Sequence, residues 1–188
     1  MTNAHVVSDP TQDKAILPSE ALVRFELSED QTLKECGVEI GSIVWQSSID
    51  EHDATLLKFT KPLPNSMKPL PVDQNLPNLG PDVKSRVYII GHPGGREISF
   101  SFEDNELLDY EKPNTEEISD TRHRKLHYRA PTEPGSSGSP VFNANWRVIG
   151  ILHSGSHKMR KLNGSDGYYA ANEGIWIQSI KRMINCKI

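Results

Sequence analysis

Cysteine is almost missing from this chain: Cys36 and Cys186 are the only two among 188 residues, too few for the disulfide framework that staples small secreted domains. A single bridge between them stays open on sequence alone, but two free thiols are the expectation, and these lean toward a reducing, cytoplasmic compartment. Long apolar runs are missing as well. No stretch approaches the roughly 18 apolar residues of a transmembrane helix, and no charged-then-apolar leader opens the chain, so no membrane partner is expected. Nor is there an excess of positive charge: 21 Lys and Arg stand against 25 Asp and Glu, a formal net charge of −4. That balance provides no global basic field for nucleic acid, and the cluster Arg122-His123-Arg124-Lys125 reads as a solvated turn. His52, His92, His123, His127 and His157 lack zinc-ligand spacing around a carboxylate or a cysteine pair, and nothing resembles a phosphate loop. No metal and no cofactor are expected.

What the chain does have is punctuation. Thirteen Gly and 13 Pro separate short β-rich runs, a composition suited to many strands joined by turns and not to long helices. Residues 21–27, 37–45 and 54–59 read as strands of a first sheet, and 86–90, 97–102, 126–129, 140–142, 147–153 and 174–177 as a second, larger set. Between them Pro62, Pro64, Pro69, Pro71, Pro77 and Pro81 block ladder hydrogen bonds and mark a connector. Residues 103–120, acidic and turn-rich, and 154–166, basic with Gly and Ser, read as surface loops. Ser179 is placed to cap a last helix, with Ile180 and Ile184 four apart on one face. The resulting division is a first unit over 1–60, a connector over 61–82, a second unit over 83–178 and a terminal helix over 179–188. The fold class is all-β.

The strongest local signal is Glu133-Pro134-Gly135-Ser136-Ser137-Gly138-Ser139-Pro140-Val141, a sharp turn leading into an apolar strand. Such a turn exposes a serine hydroxyl, and the backbone N–H groups of Gly135 and Ser137 can face a developing oxyanion. By itself the motif is equally a plain Gly/Ser turn. A serine hydroxyl is a poor nucleophile until a base takes its proton, so the chain must also supply a histidine and a group that orients it. His5, in Thr2-Asn3-Ala4-His5-Val6-Val7, and Asp53, directly before the apolar run Ala54 to Phe59, have the right types and order. Either one alone is an incidental histidine or a turn-forming aspartate.

Taken together, these three segments resemble the His, Asp and Ser motifs of the trypsin-like serine protease superfamily, in the same chain order and over nearly the whole length. Gly91-His92-Pro93-Gly94-Gly95 resembles the start of the second barrel in bacterial members. Val148 to Gly155 resembles the strand that flanks their specificity pocket, and Ala171-Asn172-Glu173-Gly174-Ile175 is similar too. The resemblance implies two six-stranded-type antiparallel β-barrels and a short C-terminal helix, with peptide-bond hydrolysis by a His5, Asp53 and Ser137 triad. Within the superfamily the similarity points to glutamyl-endopeptidase-like proteases, including trypsin-like domains of multidomain intracellular signalling proteins. The implied partners are a peptide or protein substrate and further domains of a larger polypeptide. In glutamyl endopeptidases a Thr and a His bind the acidic side chain, which implies substrate-binding roles for Thr132 and His153, with Ser154 and Gly155 as the adjoining cradle. The additional Leu152 shifts that alignment by one residue, and a structural histidine is the alternative reading.

Two departures accompany the resemblance. Only four residues precede His5, where the family carries two strands, so the first barrel is expected to be truncated. Ser136 stands where digestive members have an aspartate that pairs with a new N-terminus, so that activation route is not expected. An α/β-hydrolase is excluded, because its elbow is Gly-x-Ser-x-Gly and its histidine comes last. The remaining alternative is a protease fold without catalysis, acting as a protein-binding module.

Overall fold

The computed structural model describes residues 1–9, 15–80, 84–112 and 122–187. Two compact units divide between Pro69 and Leu70, inside the proline-rich stretch. Residues 81 and 82 of the expected connector and 113–120 of the expected acidic loop lie outside the described residues. Both cysteines are unpaired and exposed.

In the first unit, β1 (Leu22–Val23), β2 (Val38–Gln46) and β3 (Thr55–Phe59) form an antiparallel sheet in the order β1-β2-β3. The first strand is shorter than its apolar run suggests, because Phe25 N–H turns away to Leu33 O at 3.1 Å. A short helix, α1 (Gln31–Glu35), follows; Asp30 caps it by accepting from Thr32 N at 2.9 Å and Leu33 N at 3.2 Å, which satisfies two otherwise orphaned donors. Leu33, Val38, Ile40, Trp45 and Ala54 are buried here. The N-terminal segment joins this unit through a two-way bond between Thr2 and Thr55, at 3.1 and 2.8 Å.

The second unit is a seven-stranded antiparallel sheet in the order β5-β4-β8-β9-β10-β7-β6. Its strands are β4 (Val87–Gly91), β5 (Ser99–Phe100), β6 (Glu106–Tyr110), β7 (Lys125–Arg129), β8 (Pro140–Asn143), β9 (Val148–Arg160) and β10 (Tyr168–Trp176). Leu107 N–H donates to Ser85 O at 2.8 Å, drawing β6 at one edge of the sheet toward the segment that leads into β4, next to the other edge. The interior holds Val87, Ile89, Leu126, Tyr128, Val141, Ile149 and Trp176, and burying each of its Val, Ile and Leu side chains contributes about 1.5–3 kcal/mol. The molecule is thus mostly antiparallel β-sheet with one C-terminal helix, α2 (Ile177–Lys187).

Three expectations are corrected. The segment 103–120 is not all surface loop, since β6 occupies Glu106–Tyr110 and buries Leu107 and Asp109. The loop expected over 154–166 begins later, because β9 runs on to Arg160 and pairs with β10 from Tyr168. That outer ribbon is exposed, so no apolar face had to be written into its sequence. Ser179 does not cap α2. The helix follows β10 directly at Ile177, and Ser179 Oγ donates back to Trp176 O at 2.7 Å, inside the first turn.

Candidate active site

The histidine and aspartate are assembled by the first unit alone. The Thr2 to Thr55 bridge sets the N-terminal segment beside the start of β3, and a single turn, with Val6 and Val7 N–H both donating to Asn3 O at 3.2 Å, carries His5. Across from it the loop after β2 closes with Asp53 N–H on Ser48 O at 2.9 Å, which leaves Asp53 fully buried with a positive φ of 42°. Aspartate is among the few residues that tolerate this region. Asp53 Oδ2 lies 2.7 Å from His5 Nδ1, its Oδ1 accepts the His5 backbone N–H at 3.1 Å, and Asn3 Nδ2 donates to Asp53 O at 2.9 Å. A carboxylate at that distance puts the ring proton on Nδ1 and leaves Nε2 as the acceptor. The His5 side chain is 31% exposed, whereas that of Asp53 is 1% exposed. The imidazole is reachable from solvent and the carboxylate that orients it is not. Neighbouring His52 is buried edge-on against Trp45, with ring centroids 6.2 Å apart.

Ser137 belongs to the second unit, on the turn between β7 and β8. Two anchors fix this turn. On one side Gly94 N–H donates to Pro134 O at 2.9 Å; on the other Gly138 N–H donates to Leu152 O at 2.9 Å, and Leu152 N–H returns to Ser139 O at 2.9 Å. In a trans peptide the N–H points opposite to the C=O, so holding Pro134 O against Gly94 aims Gly135 N–H to the other side. Among the described residues no backbone oxygen accepts from the Gly135 or Ser137 N–H. Gly135 sits at φ 95° and Gly138 at φ 85°, conformations that favour glycine. The turn Pro93–Gly95 is further pinned by Arg96, whose guanidinium bonds Glu133 at 2.7 Å and holds that carboxyl below its ordinary range. Ser136, at the position of the digestive-protease aspartate, is buried, and its Oγ accepts from Glu133 N at 3.4 Å.

Beside the turn lies a cleft of about 590 Å³ lined by Arg129, Thr132, Leu152, Ser154, Gly155 and Asn172, among others. Three of the four expected substrate-binding residues, Thr132, Ser154 and Gly155, line it, but His153 does not. Its Nε2 meets Glu173 Oε1 at 2.8 Å. Thr132 Oγ1 donates to Asn172 Oδ1 at 2.7 Å, and Asn172 Nδ2 donates to Ala130 O at 2.7 Å. The two side chains expected to donate to an acidic residue therefore already have acceptors. A second cavity of about 430 Å³, lined by Gly91, Phe100, Phe102, Thr132 and Ser136, adjoins the same turn.

Residues 1–151 match the family profile described as the trypsin-like peptidase domain. The chain belongs to that family. Solved structures agree on the fold of this trypsin-like domain. The Rv3671c protease from M. tuberculosis in its active form is 15% identical with a TM-score of 0.51, over 77% of this chain and 56% of that one. The inactive form of Rv3671c protease gives 16% identity and a TM-score of 0.52, over 80% and 66%. The HtrA-type protease AlgW, solved with a decapeptide, gives 17% and 0.53, over 80% and 41%. The trypsin-like domain spans about two thirds or less of these chains. These matches support the superfamily and give no support to a particular closeness to glutamyl endopeptidases.

Sequence reasoning missed the contacts of Gly94, Asn172 and Glu173 with Pro134, Thr132 and His153 in the trypsin-like domain. Asn172 and Glu173 carry a signal, being adjacent polar residues in a strand that turns apolar at Ile175. Gly94 carries one only once Pro134 O is seen to need a donor.

Proposed function

We propose that this chain is a serine endopeptidase domain in which His5, Asp53 and Ser137 form the catalytic triad. In this reading His5 Nε2 takes the Ser137 hydroxyl proton as Oγ attacks the scissile carbonyl. The resulting oxyanion is met by the N–H groups of Gly135 and Ser137. The imidazolium then gives its proton to the leaving amine as the C–N bond breaks, and water releases the acyl group from Oγ by the reverse sequence. Asp53 holds the ring in the required tautomer. Thr132, Ser154 and Gly155 form the wall against which the substrate lies. The observation that carries the reading is the Asp53 carboxylate bonded to both the ring and the backbone of His5, at 2.7 and 3.1 Å. The decapeptide held by the HtrA-type relative supports a peptide or protein as the substrate class.

A second reading, a protein-binding module without turnover, is favoured by the small three-stranded sheet of the first unit. A fluorophosphonate probe separates the two. Attack by Ser137 Oγ on phosphorus expels fluoride and leaves a covalent adduct, which peptide mass spectrometry locates. Labelling of Ser137 is expected in the wild type and is expected to be slower by about 10³-fold or more in His5→Ala. An unlabelled Ser137 in folded protein favours the binding module.

A further inference from the structure

The polar residues behind the cleft form one connected chain. Glu173, on β10, is nearly buried, and its carboxylate meets His127 Nε2 at 2.8 Å, His153 Nε2 at 2.8 Å and Lys125 Nζ at 3.0 Å. His127 Nδ1 lies 3.0 Å from the Tyr169 hydroxyl, which lies 3.4 Å from Asp109 Oδ2. That same Asp109 oxygen accepts Leu162 N–H at 2.8 Å and Asn163 N–H at 2.9 Å. Burial, and after it the charge of Glu173, push the Tyr128 hydroxyl up from its ordinary range.

The register explains why one arm of this chain reaches β9. Glu173 pairs with Ser154 while the next residue, Gly174, pairs with Leu152. His153 is therefore the extra residue of a β-bulge, a device that re-aims side chains and bends a strand. Its ring turns to Glu173, and the residues just after it, Ser154 and Gly155, line the cleft. The residue just before it, Leu152, is tied to the nucleophile turn through Gly138 and Ser139.

We propose that Glu173 is a positioning residue for substrate binding: its bond to His153 holds the bulge that sets Ser154 and Gly155 as the cleft wall. This rests on the peptidase reading above. A buried carboxylate is costly unless fully hydrogen-bonded, and apolar side chains would fill the same space without fixing where a bulge falls. Because the Leu152 bonds to the turn do not involve Glu173, losing the carboxylate shifts the wall and leaves the nucleophile in place.

In Glu173→Gln the charge is lost and one oxygen becomes an NH₂, which a ring nitrogen meets only by giving up its bond or by moving its proton to Nδ1, so the hold on His153 weakens. With peptide substrate the expected result is a KM raised about tenfold or more, the fold-change of one lost buried hydrogen bond, with kcat within about threefold of wild type. His153→Leu, which removes only the arm to β9, is expected to do the same, and it decides the matter should Glu173→Gln fail to fold. An unchanged KM, or a fall confined to kcat, overturns the proposal. NMR of Ser137→Ala protein gives a readout that needs no turnover. The His153 imidazole Nε2–H should exchange slowly with water, and the Ser154 and Gly155 amide signals should move in the Glu173→Gln form. Fast exchange or unmoved amides overturn the proposal even if the protein cleaves peptides, and an enzyme that cleaves nothing while these signals behave as expected overturns only the peptidase reading.

Discussion

At Asp53 the backbone stands at φ 42° and the carboxylate is buried against His5, so Asn is the substitution that tests its charge while keeping its shape. With its oxygen kept on the His5 backbone N–H, an Asn turns its NH₂ to Nδ1, so the ring accepts there and settles with its proton on Nε2. Asp53→Asn is expected to lower kcat by about 10⁴-fold while the protein stays folded, by analogy with measured triad substitutions. Steady-state kinetics together with thermal unfolding check both halves. Gly135 allows a second prediction. A Cβ there would lie 3.3 Å from Gly95 N on a backbone at φ 95°, so Gly135→Ala should cost roughly 1–3 kcal/mol of stability and also reduce kcat by turning the oxyanion donor. A stable, fully active variant would show that the turn does not depend on this conformation. Thr132 and His153 mark the limit of reading residues singly. Their types suggest donors for an acidic side chain, but the acceptors Asn172 and Glu173 that engage them come from another strand, which residue type alone does not announce.

At the scale of elements, alternation was legible where one face is apolar and failed where the buried face is polar. β6 was missed because its inward position holds Asp109, a residue that reads as turn until its bonds to Leu162, Asn163 and Tyr169 are seen. The outer half of β9 was missed because a ribbon exposed on both sides needs no pattern, and α1 because a five-residue helix carries little periodicity. The polar chain linking these strands has a pH signature. Burial by itself would raise the Glu173 pKa, but hydrogen bonds from His127, His153 and Lys125 outweigh it and hold the group well below its ordinary 4.5. A carboxyl whose pKa is depressed by folding contributes stability above its unfolded value and loses it as pH falls through the folded one. The stability difference between wild type and Glu173→Gln should therefore be full at neutral pH and shrink only below about 4.5, as denaturant melts at a series of pH values would show. A difference independent of pH down to strong acid would mean that the carboxylate charge is not what the histidines stabilise.

For the whole molecule, the all-β class and the family followed from turn spacing and three short motifs, because those features are local. The sheet order β5-β4-β8-β9-β10-β7-β6 was not legible, since it depends on pairings between strands far apart in sequence. The placement of the proposed triad has a chemical consequence: His5 and Asp53 lie within residues 1–69, and Ser137 with its cleft within 70–188. On the proposed reading neither half alone holds all three groups. If the two cooperate as proposed, removing Ser137 should cost as much as removing His5, because residues acting as one unit are not additive. The decisive comparison is peptide hydrolysis by purified wild type, Ser137→Ala, His5→Ala and the double variant. The triad requires wild-type turnover that falls about 10⁴ to 10⁶-fold in kcat in each single variant and no further in the double, whereas Ser137→Ala protein that cleaves peptide at the wild-type rate would contradict it.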